Sequence, residues 1–276
     1  MEYKSYQTVY INEYTQLDIV PYENIEEIKF VKLNDPTETL SHYYERAEKK
    51  PQLMTNGGLF NMKTGNNVMS FVENHKEINY KNNFEGMGTI DVSQAALVYG
   101  KDNSADWRYF MTAYPMLVID GKANTNYGNA KSLNYKVART AIGVTSTGNL
   151  LILTVDKQGM TFEQMTAIFL QYHAQYAMNL DGGGSVRKMH EDKVVNKPTE
   201  NRAVDNVFCV YLKPEPLSVY TDKDDIADWA KEYVEDVTEK GIMQGNAKKQ
   251  FRPNDMVTRQ ELAVALSKAI NYAISH

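Results

Sequence analysis

The segment 213–217, Lys-Pro-Glu-Pro-Leu, constrains the fold most, because no helix or strand can run through it. Each proline fixes φ and lacks a backbone donor, and it disfavours helical geometry in the residue before it. Apolar, strand-like runs precede this segment, and an acidic, helix-forming stretch follows it. The 276-residue chain is therefore predicted to fold as two domains, residues 1–213 and 214–276. The second is too short to build a large core of its own, so we expect it to have a partner.

Composition removes several classes of protein. A net charge of -5 and a pI near 5.6 argue against non-specific nucleic-acid binding. No stretch approaches the roughly 20 apolar residues that span a bilayer, which excludes a membrane-embedded protein. The single cysteine, Cys209, lies in the apolar run 207–211 and reads as a small buried hydrophobe. One cysteine permits neither an intrachain disulfide nor a cysteine-based zinc site.

Most of the first domain reads as strands. The first 33 residues alternate polar and apolar side chains, which predicts strands of an antiparallel sheet. Further strands are predicted at 53–55, 95–99, 116–119, 138–144, 150–155, 177–180 and 204–212. The turn at 144–150 makes a hairpin, whose second strand is expected to end at Asp156.

Helices are fewer and shorter. Residues 40–50 predict a polar helix that ends before Pro51. A capping box, Thr161 to Gln164, begins a helix whose apolar stripe continues to Tyr176. Residues 61–85, rich in Asn, Lys and Gly, predict an exposed excursion. The fold class is therefore α+β, a mixed, mainly antiparallel sheet with packed helices, plus a small all-α C-terminal unit.

The sharpest chemical signal is Asp181 followed by three glycines and Ser185, directly after the apolar strand 177–180. Three glycines open backbone geometries closed to other residues and let a ligand approach the main chain. Successive N–H groups in such a turn can bind an anion, beside a carboxylate at the strand end. A flexible linker is the alternative, but a linker does not start from an apolar strand. We therefore expect a functional loop.

Two arginines begin otherwise apolar strands, Arg139 and Arg202. Guanidinium groups bind phosphate or carboxylate bidentately, although a structural ion pair would explain either residue taken singly. Asn56-Gly57-Gly58, at another strand end, is a good turn with an amide that can orient a ligand. The sequence has no Walker A loop, dinucleotide GxGxxG, HExxH or GxSxG motif. ATPase, dehydrogenase, zincin and α/β-hydrolase functions are therefore unsupported.

Taken together, seven blocks over residues 50–212 resemble the phosphodiester glycosidase (NAGPA-type) family. They occur in the family's order: 56–60, 139–143, Asp156, 159–161, 179–185, 196–198 and 202–206. Two departures are visible. Leu59 stands where the family usually has an aromatic residue, which bears on a sugar contact. The basic residues that follow Ser185 suggest a more anionic substrate.

The resemblance implies hydrolysis of a sugar-1-phosphodiester, for example one of N-acetylglucosamine. It implies catalytic roles for Asp181, Asp156 and Arg139, with Asp181 as the first choice for the carboxylate at the anomeric centre. It implies substrate binding by a larger set: Asn56, Gly57, Gly58, Gly182, Gly183, Gly184, Ser185 and Arg202. No cofactor is required, and no ligand spacing demands a metal, although aspartates could hold a divalent cation such as Ca²⁺ or Mg²⁺.

The C-terminal stretch is similar to one S-layer homology (SLH) repeat, a module that binds cell-wall polysaccharide. The likeness rests on the blocks 220–222, 228–230, 241–245, 251–253 and 258–261. Two amphipathic helices are predicted, at about 226–240 and 258–270. The resemblance places Asp222, Trp229 and Arg259 at the cell-wall sugar. A plain helical dimerisation appendage is the alternative to this likeness. The module usually occurs as three repeats, so one repeat predicts a homotrimer, with docking onto the first domain as the alternative.

The setting follows from these two resemblances. An extracellular or cell-envelope protein is expected, and a phage is one setting for it. The first 16 residues lack the apolar core of a signal peptide. Either a leader has been removed or the protein leaves the cell by another route, such as phage lysis, and a cytoplasmic location stays open. Two alternative functions also stay open: a non-catalytic carbohydrate-binding phage tail or cell-wall protein, and an intracellular hydrolase of nucleotide- or lipid-linked glycosyl phosphates.

Overall fold

Antiparallel pairing dominates the fold, as the alternation of polar and apolar residues predicts. The computed structural model describes residues 6–33, 38–61, 63–64, 68, 70–79, 83–90, 96–213 and 216–275. These residues fall into two compact units, Tyr6–Leu212 and the residues from Lys213 on. Residue 95, at the start of one predicted strand, and residues 214–215 of the proline segment lie outside the described residues.

The first unit contains seventeen strands and two α-helices among the described residues. The strands are β1 (Gln7–Asn12), β2 (Thr15–Val20), β3 (Ile25–Lys32), β4 (Leu53–Asn56), β5 (Phe71–Glu73), β6 (Lys76–Asn79), β7 (Glu85–Thr89), β8 (Val98–Lys101), β9 (Tyr109–Thr112), β10 (Met116–Ile119), β11 (Lys122–Ala123), β12 (Val137–Thr145), β13 (Leu150–Met160), β14 (Ala174–Asn179), β15 (Lys188–His190), β16 (Lys193–Val194) and β17 (Asn206–Leu212). The helices are α1 (Leu40–Arg46) and α2 (Phe162–Gln171).

The strands form three antiparallel sheets. A seven-stranded sheet has the order β1-β2-β13-β12-β14-β10-β11. Two five-stranded sheets have the orders β16-β15-β4-β17-β3 and β6-β5-β9-β7-β8. The α+β class with a mainly antiparallel sheet is thus confirmed, and the strands are distributed over three sheets.

Three apolar clusters hold these layers together. The inner faces of the sheets share one core, which includes Phe30, Phe71 and Phe208. Helix α2 covers the outer face of the seven-stranded sheet, where Phe162 and Phe169 are fully buried. Helix α1 covers the outer face of the second sheet, over Cys209 and its neighbours. Cys209 is fully buried, and burial raises the pKa of its thiol to about 12, as expected for an inert cysteine.

Three local predictions are wrong. Residues 61–85 are not simply an exposed excursion, because β5 pairs with β9 and places Phe71 in the central core. Strand β13 does not end at Asp156 but continues to Met160. Helix α2 ends at Gln171, and Tyr176 lies in β14, since His173 takes a left-handed φ of 58° and turns the chain. In each case an interaction distant in sequence, or one residue's backbone geometry, overrides the local pattern.

The C-terminal unit is helical. It contains α3 (Asp228–Glu239) and α4 (Arg259–Ser275), close to the two predicted amphipathic helices. Its small core consists of Leu217, Tyr220, Ile226 and Val234. Among the described residues of both units, no helix is long and apolar enough to cross a membrane.

Candidate active site

Two glycine turns meet at Asp181. After β14, the Leu180 N–H donates to the carbonyl of Thr140 on β12 at 2.9 Å, which keeps the chain beside the sheet. The Asp181 N–H then donates to the carbonyl of Gly57 at 2.9 Å. The Gly182 N–H turns back to Oδ1 of Asp181, also at 2.9 Å. The loops that follow β4 and β14 are therefore joined through the backbone of Asp181.

The charge of Asp181 is set by opposed effects. Burial raises the pKa of its carboxyl group. The Ser185 hydroxyl and the Gly182 N–H act against burial, and so do the positive charges of Arg202 and Arg139. Ionisation of this carboxylate thus depends on neighbouring donors and cations, an arrangement typical of functional carboxylates in partly dry sites.

Arg139 supplies one of these cations from the start of β12. Its side chain is 4% exposed, and its guanidinium lies 4.5 Å from the centroid of the Phe162 ring. Its donors go to main-chain carbonyls, those of Met160 at 3.4 Å, Tyr135 at 3.0 Å and Leu133. Burial lowers the pKa of Arg139 to about 10, opposed by Tyr135 and Asp181. Because carbonyl groups do not neutralise it, this buried charge remains to act on an anion.

Arg202 supplies the second cation and is held by a residue that the sequence analysis missed. Its Nη2 and Nε lie 2.9 and 3.2 Å from the two carboxylate oxygens of Glu200. Both side chains lie against Gly184, where an added Cβ would be 2.4 Å from Glu200 Oε1 and 2.6 Å from Arg202 Nη2. Gly184 must therefore lack a side chain for this pair to approach the loop. The only sequence signal for Glu200 was its position two residues before Arg202.

The rest of the loop presents backbone and one hydroxyl. Gly183 has a left-handed φ of 61°, and a Cβ there would meet nothing within 4 Å, so this side of the loop is open. Ser185 is buried, and its Oγ makes no hydrogen bond of good geometry with the described residues. The Ser185 hydroxyl therefore lies next to the Asp181 carboxylate, whose pKa it lowers, without a closely aligned hydrogen bond.

The loop that begins at Asp181 is supported by the end of β4 and the turn after it, where Asn56, Gly57 and Gly58 lie. Asn56 is fully buried; its Oδ1 accepts from the Thr140 hydroxyl at 2.7 Å, and its Nδ2 donates to the Asp181 carbonyl at 2.9 Å. Asn206 Oδ1 accepts from the Gly58 N–H at 2.7 Å and would lie 2.0 Å from a Cβ added at Gly57. These contacts position Asp181, and direct contact of the three residues with substrate stays a prediction.

Asp156 has contacts of a different kind. Its Oδ1 accepts from Asn196 Nδ2 at 2.9 Å and from the Lys197 N–H at 3.0 Å. It therefore anchors the loop that follows β16, and the charges that act most on Asp181 are those of the two arginines. A catalytic role for Asp156 stays a prediction.

The three residues predicted to bind cell-wall sugar lie in the C-terminal unit. The carboxylate of Asp222 accepts the N–H groups of Phe251 and Arg252, both at 2.8 Å, so it fixes a turn. Trp229 on α3 is 79% exposed, and Arg259 is exposed at the start of α4. Sugar binding by these residues stays a prediction.

A divalent cation also stays a prediction. In the part of the chain that the structure describes, no three His, Cys, Asp or Glu side chains are grouped as metal ligands would be.

Comparison with known families agrees with this fold. Residues 49–211 match the family model for phosphodiester glycosidase (NAGPA), and residues 219–263 match that for the S-layer homology domain. The fold and these two matches thus define a phosphodiester glycosidase domain followed by an SLH domain. The chain belongs to the phosphodiester glycosidase family.

Individual relatives and solved structures are similar to parts of the chain. The catalytic domain of zebrafish N-acetylglucosamine-1-phosphodiester alpha-N-acetylglucosaminidase, solved auto-inhibited by its pro-peptide, has a TM-score of 0.61 at 18% identity, over 75% of this chain and 82% of that one. An SPbeta prophage-derived uncharacterized protein of Bacillus subtilis is 36% identical over 34% of this chain and 16% of its own length. A surface-layer 125 kDa protein of Lysinibacillus sphaericus is 27% identical over 55% of this chain and 13% of its own.

The solved structure bears on the fold, and the SLH match and the surface-layer relative bear on location. The zebrafish structure supports the fold. The chain spans less than a fifth of either curated relative's length. The SLH domain and the surface-layer relative support association with the cell envelope.

Proposed function

We propose that this domain hydrolyses the glycosidic bond of a sugar-1-phosphodiester in the cell envelope. The observation that carries the proposal is that Arg139 and Arg202 both lie against the glycine loop that follows Asp181. A Cβ added at Gly182 would lie 3.7 Å from Arg139 Nη1, and one added at Gly184 would lie 2.6 Å from Arg202 Nη2. An anionic phosphodiester fits the arginines and loop N–H groups, and a carboxylate fits the anomeric carbon. Family membership supports the same reaction.

The leaving group explains why the site is built around phosphate binding. Cleavage of the bond between the anomeric carbon and oxygen leaves the electron pair on a phosphate monoester, which is a stable anion near neutrality. Such a group needs little protonation, so catalysis depends on holding phosphate and stabilising positive charge on the sugar. Water then supplies the hydroxyl group of the released sugar and gives up a proton.

In this proposal each residue has a separate role. Arg139 and Arg202 attract the phosphate, together with the N–H groups of 182–185. The ionised carboxylate of Asp181 stabilises the oxocarbenium-like transition state at the anomeric carbon. Asn56 orients Asp181 through the Asp181 carbonyl.

The decisive experiment is a screen for phosphate and sugar release over glycosyl-1-phosphodiesters, with the wild type and Asp181→Asn. This substitution keeps the shape and removes the charge, so we expect turnover to fall about 100-fold or more while substrate still binds. Asp106→Asn is the matched control, because Asp106 is 91% exposed. Equal, negligible turnover of all three proteins together with retained sugar binding would instead favour a carbohydrate-binding protein.

The SLH domain bears on where the hydrolase acts. We propose that it holds the hydrolase at cell-wall polysaccharide, so that the substrate is an envelope glycosyl phosphate. The prophage-derived relative supports a phage-borne origin. Co-sedimentation with purified cell walls tests this attachment, and loss of sedimentation in a Trp229→Ala variant is expected.

A further inference from the structure

A cavity of about 330 Å³ opens beside the end of β14, between the turn that joins β9 to β10 and the segment 124–130. We propose that this cavity binds the uncharged sugar ring of the substrate, while the arginines near Asp181 bind the phosphate. The inference rests on the proposed function and adds to it the separate place of the sugar.

Hydrogen bonds connect the cavity wall to the strand that presents Asp181. The Asn179 N–H donates to the Pro115 carbonyl at 2.9 Å, and Asn179 Nδ2 donates to the Tyr114 carbonyl at 2.6 Å. Tyr114 and Pro115 line the cavity, and Asn179 lies two residues before Asp181. The wall and the carboxylate are therefore parts of one hydrogen-bonded frame.

The opposite wall is connected to Arg139 in the same way. The segment 124–130 continues into Leu133 and Tyr135, whose carbonyls accept from the Arg139 guanidinium. Tyr127 of this wall packs edge-on against Phe162, at 5.2 Å between ring centroids, and Arg139 lies over the same ring. The cavity thus lies next to residues that hold Asp181 and Arg139 in place, and these are the two groups that we assign to the glycosidic bond.

The lining suits a hydroxyl-rich, uncharged ligand. It combines phenol and amide side chains, among them Tyr114, Asn126 and Asn129. Amides both donate and accept, as sugar hydroxyls require, and tyrosine adds an apolar face with a polar tip. Glu85 and Lys101 are the charged residues of the described lining, so its charge balances. A phosphate would be drawn instead to the arginines.

The geometry of the amides is partly fixed in advance. Asn124 Nδ2 donates to the Met116 carbonyl at 2.9 Å, and its Oδ1 accepts the Asn126 N–H at 3.0 Å. Asn126 Oδ1 in turn accepts the Gly128 N–H at 3.2 Å. Because the segment is tied to β10, little ordering remains for a ligand to impose. A volume near 330 Å³ lies at the lower end of the range of small-ligand sites.

The test separates sugar binding from phosphate binding in the full-length protein. Titration calorimetry or ligand-observed NMR measures the Kd of N-acetylglucosamine and of inorganic phosphate for the wild type, Asn129→Ala and Tyr114→Phe. We expect each variant to weaken sugar binding about 3- to 10-fold and to leave phosphate binding unchanged. Asn254→Ala, an exposed asparagine of the other unit, is the control and should change neither.

Undiminished sugar binding in both variants, or no saturable sugar binding by the wild type, would overturn the inference. The proposed function fails separately. Hydrolysis with an unchanged KM in the variants would retain the reaction and remove the sugar from this cavity. Sugar binding that weakens in the variants, without hydrolysis of any phosphodiester, would retain the cavity as a sugar site and remove the reaction.

Discussion

At the level of single residues, burial and two arginines compete over the charge of Asp181. Burial favours the neutral acid, and the arginines with the loop donors favour the carboxylate. The pKa lies above the ordinary value for Asp, so burial prevails. Because the proposed reaction needs Asp181 to be ionised, the enzyme should lose activity as the pH falls through this raised pKa.

Removing one arginine should shift this balance in a known direction. Arg202→Gln takes away a charge that lowers the pKa of Asp181, so the acid limb of the pH profile of kcat/KM should move to higher pH. The plateau of kcat/KM should also fall about 10- to 100-fold, because the phosphate loses a positively charged hydrogen-bond donor. Lys193→Gln, on exposed β16, is the control. An acid limb that stays in place would show that Asp181 does not control the profile.

Glu200 holds Arg202 in the two-oxygen geometry that a phosphate would use. Glu200→Gln should therefore lower the Kd of inorganic phosphate roughly two- to five-fold, because the phosphate no longer competes with an exposed ion pair for Arg202. Calorimetric titration measures this change. Weaker phosphate binding in the variant would mean that Glu200 orients Arg202 instead of competing with the ligand.

Neighbouring glycines should differ in their tolerance of a methyl group. A Cβ at Gly57 would lie 2.0 Å from Asn206 Oδ1, which is held by the Gly58 N–H, whereas a Cβ at Gly58 would meet the flexible Met111 Sδ at 2.6 Å. We expect Gly57→Ala to lower the free energy of unfolding by about 1–3 kcal/mol and Gly58→Ala by less. Urea denaturation compares the two variants. The opposite order would contradict the packing argument.

At the level of elements, a buried charge cluster joins two sheets. Asp18 on β2 accepts from the Thr8 hydroxyl at 2.7 Å and lies 3.0 Å from Lys188 Nζ on β15. His190 Nε2 of β15 lies 2.9 Å from the same carboxylate. The side chains of Asp18 and Lys188 are essentially fully buried. This cluster links the seven-stranded sheet to the sheet that carries Asn56.

Breaking this pair should leave an uncompensated buried charge. Lys188→Met is expected to lower the free energy of unfolding by about 3–5 kcal/mol, and the double variant with Asp18→Asn should cost less than the sum of its parts. Lys193→Met on β16 is the exposed control. Urea unfolding of the wild type, the two single variants and the double variant measures the coupling, and additive effects would contradict it.

The same cluster predicts how stability depends on pH. Burial opposes ionisation of Asp18, but hydrogen bonds from His190 and Thr8 and the charges of Lys188 and His190 prevail and hold its pKa below the ordinary value. The stabilisation is therefore complete above the unfolded pKa of about 3.9 and is lost as pH falls through the lower folded value. Asp18→Asn should flatten this acid loss in unfolding experiments below about pH 4.

Elements with strong local signals were predictable, and those held by distant partners were not. The capping box at Thr161 and the hairpin at 144–150 occur as predicted, because their interactions are local. Strand β5 was missed, because its pairing with β9 is set forty residues away in the chain. Tyr176 matched the helical repeat but lies in a strand, since periodicity does not indicate where a helix ends.

At the level of the whole molecule, α4 exposes an apolar stripe. Leu262, Leu266 and Ile270, spaced four residues apart, are 47%, 55% and 59% exposed. Such spacing places them on one helix face, which the C-terminal unit by itself does not cover. We expect three copies to cover this face through the SLH unit, because cyclic symmetry would supply three repeats.

Light scattering of the full-length protein at micromolar concentration tests the trimer, whose mass would be three times 31.5 kDa. Leu266→Asp should dissociate it, and Ser267→Asp, one residue off the stripe, should not. A monomeric wild-type protein would contradict the prediction and leave the single repeat as an intrachain appendage.

The amino-acid sequence by itself determined the family, the fold class and the loop at Asp181. These depend on local order: apolar runs, glycines and arginines in a fixed succession along the chain. Tertiary structure alone decided that Glu200 holds Arg202, that Asn56 supports the backbone of Asp181 and that Asp156 anchors another loop. The physical reason is that a carboxylate or amide takes its role from its partners. The fold brings these together over very different separations: 2 positions for Glu200 and Arg202, 41 for Asp156 and Lys197, and 125 for Asn56 and Asp181.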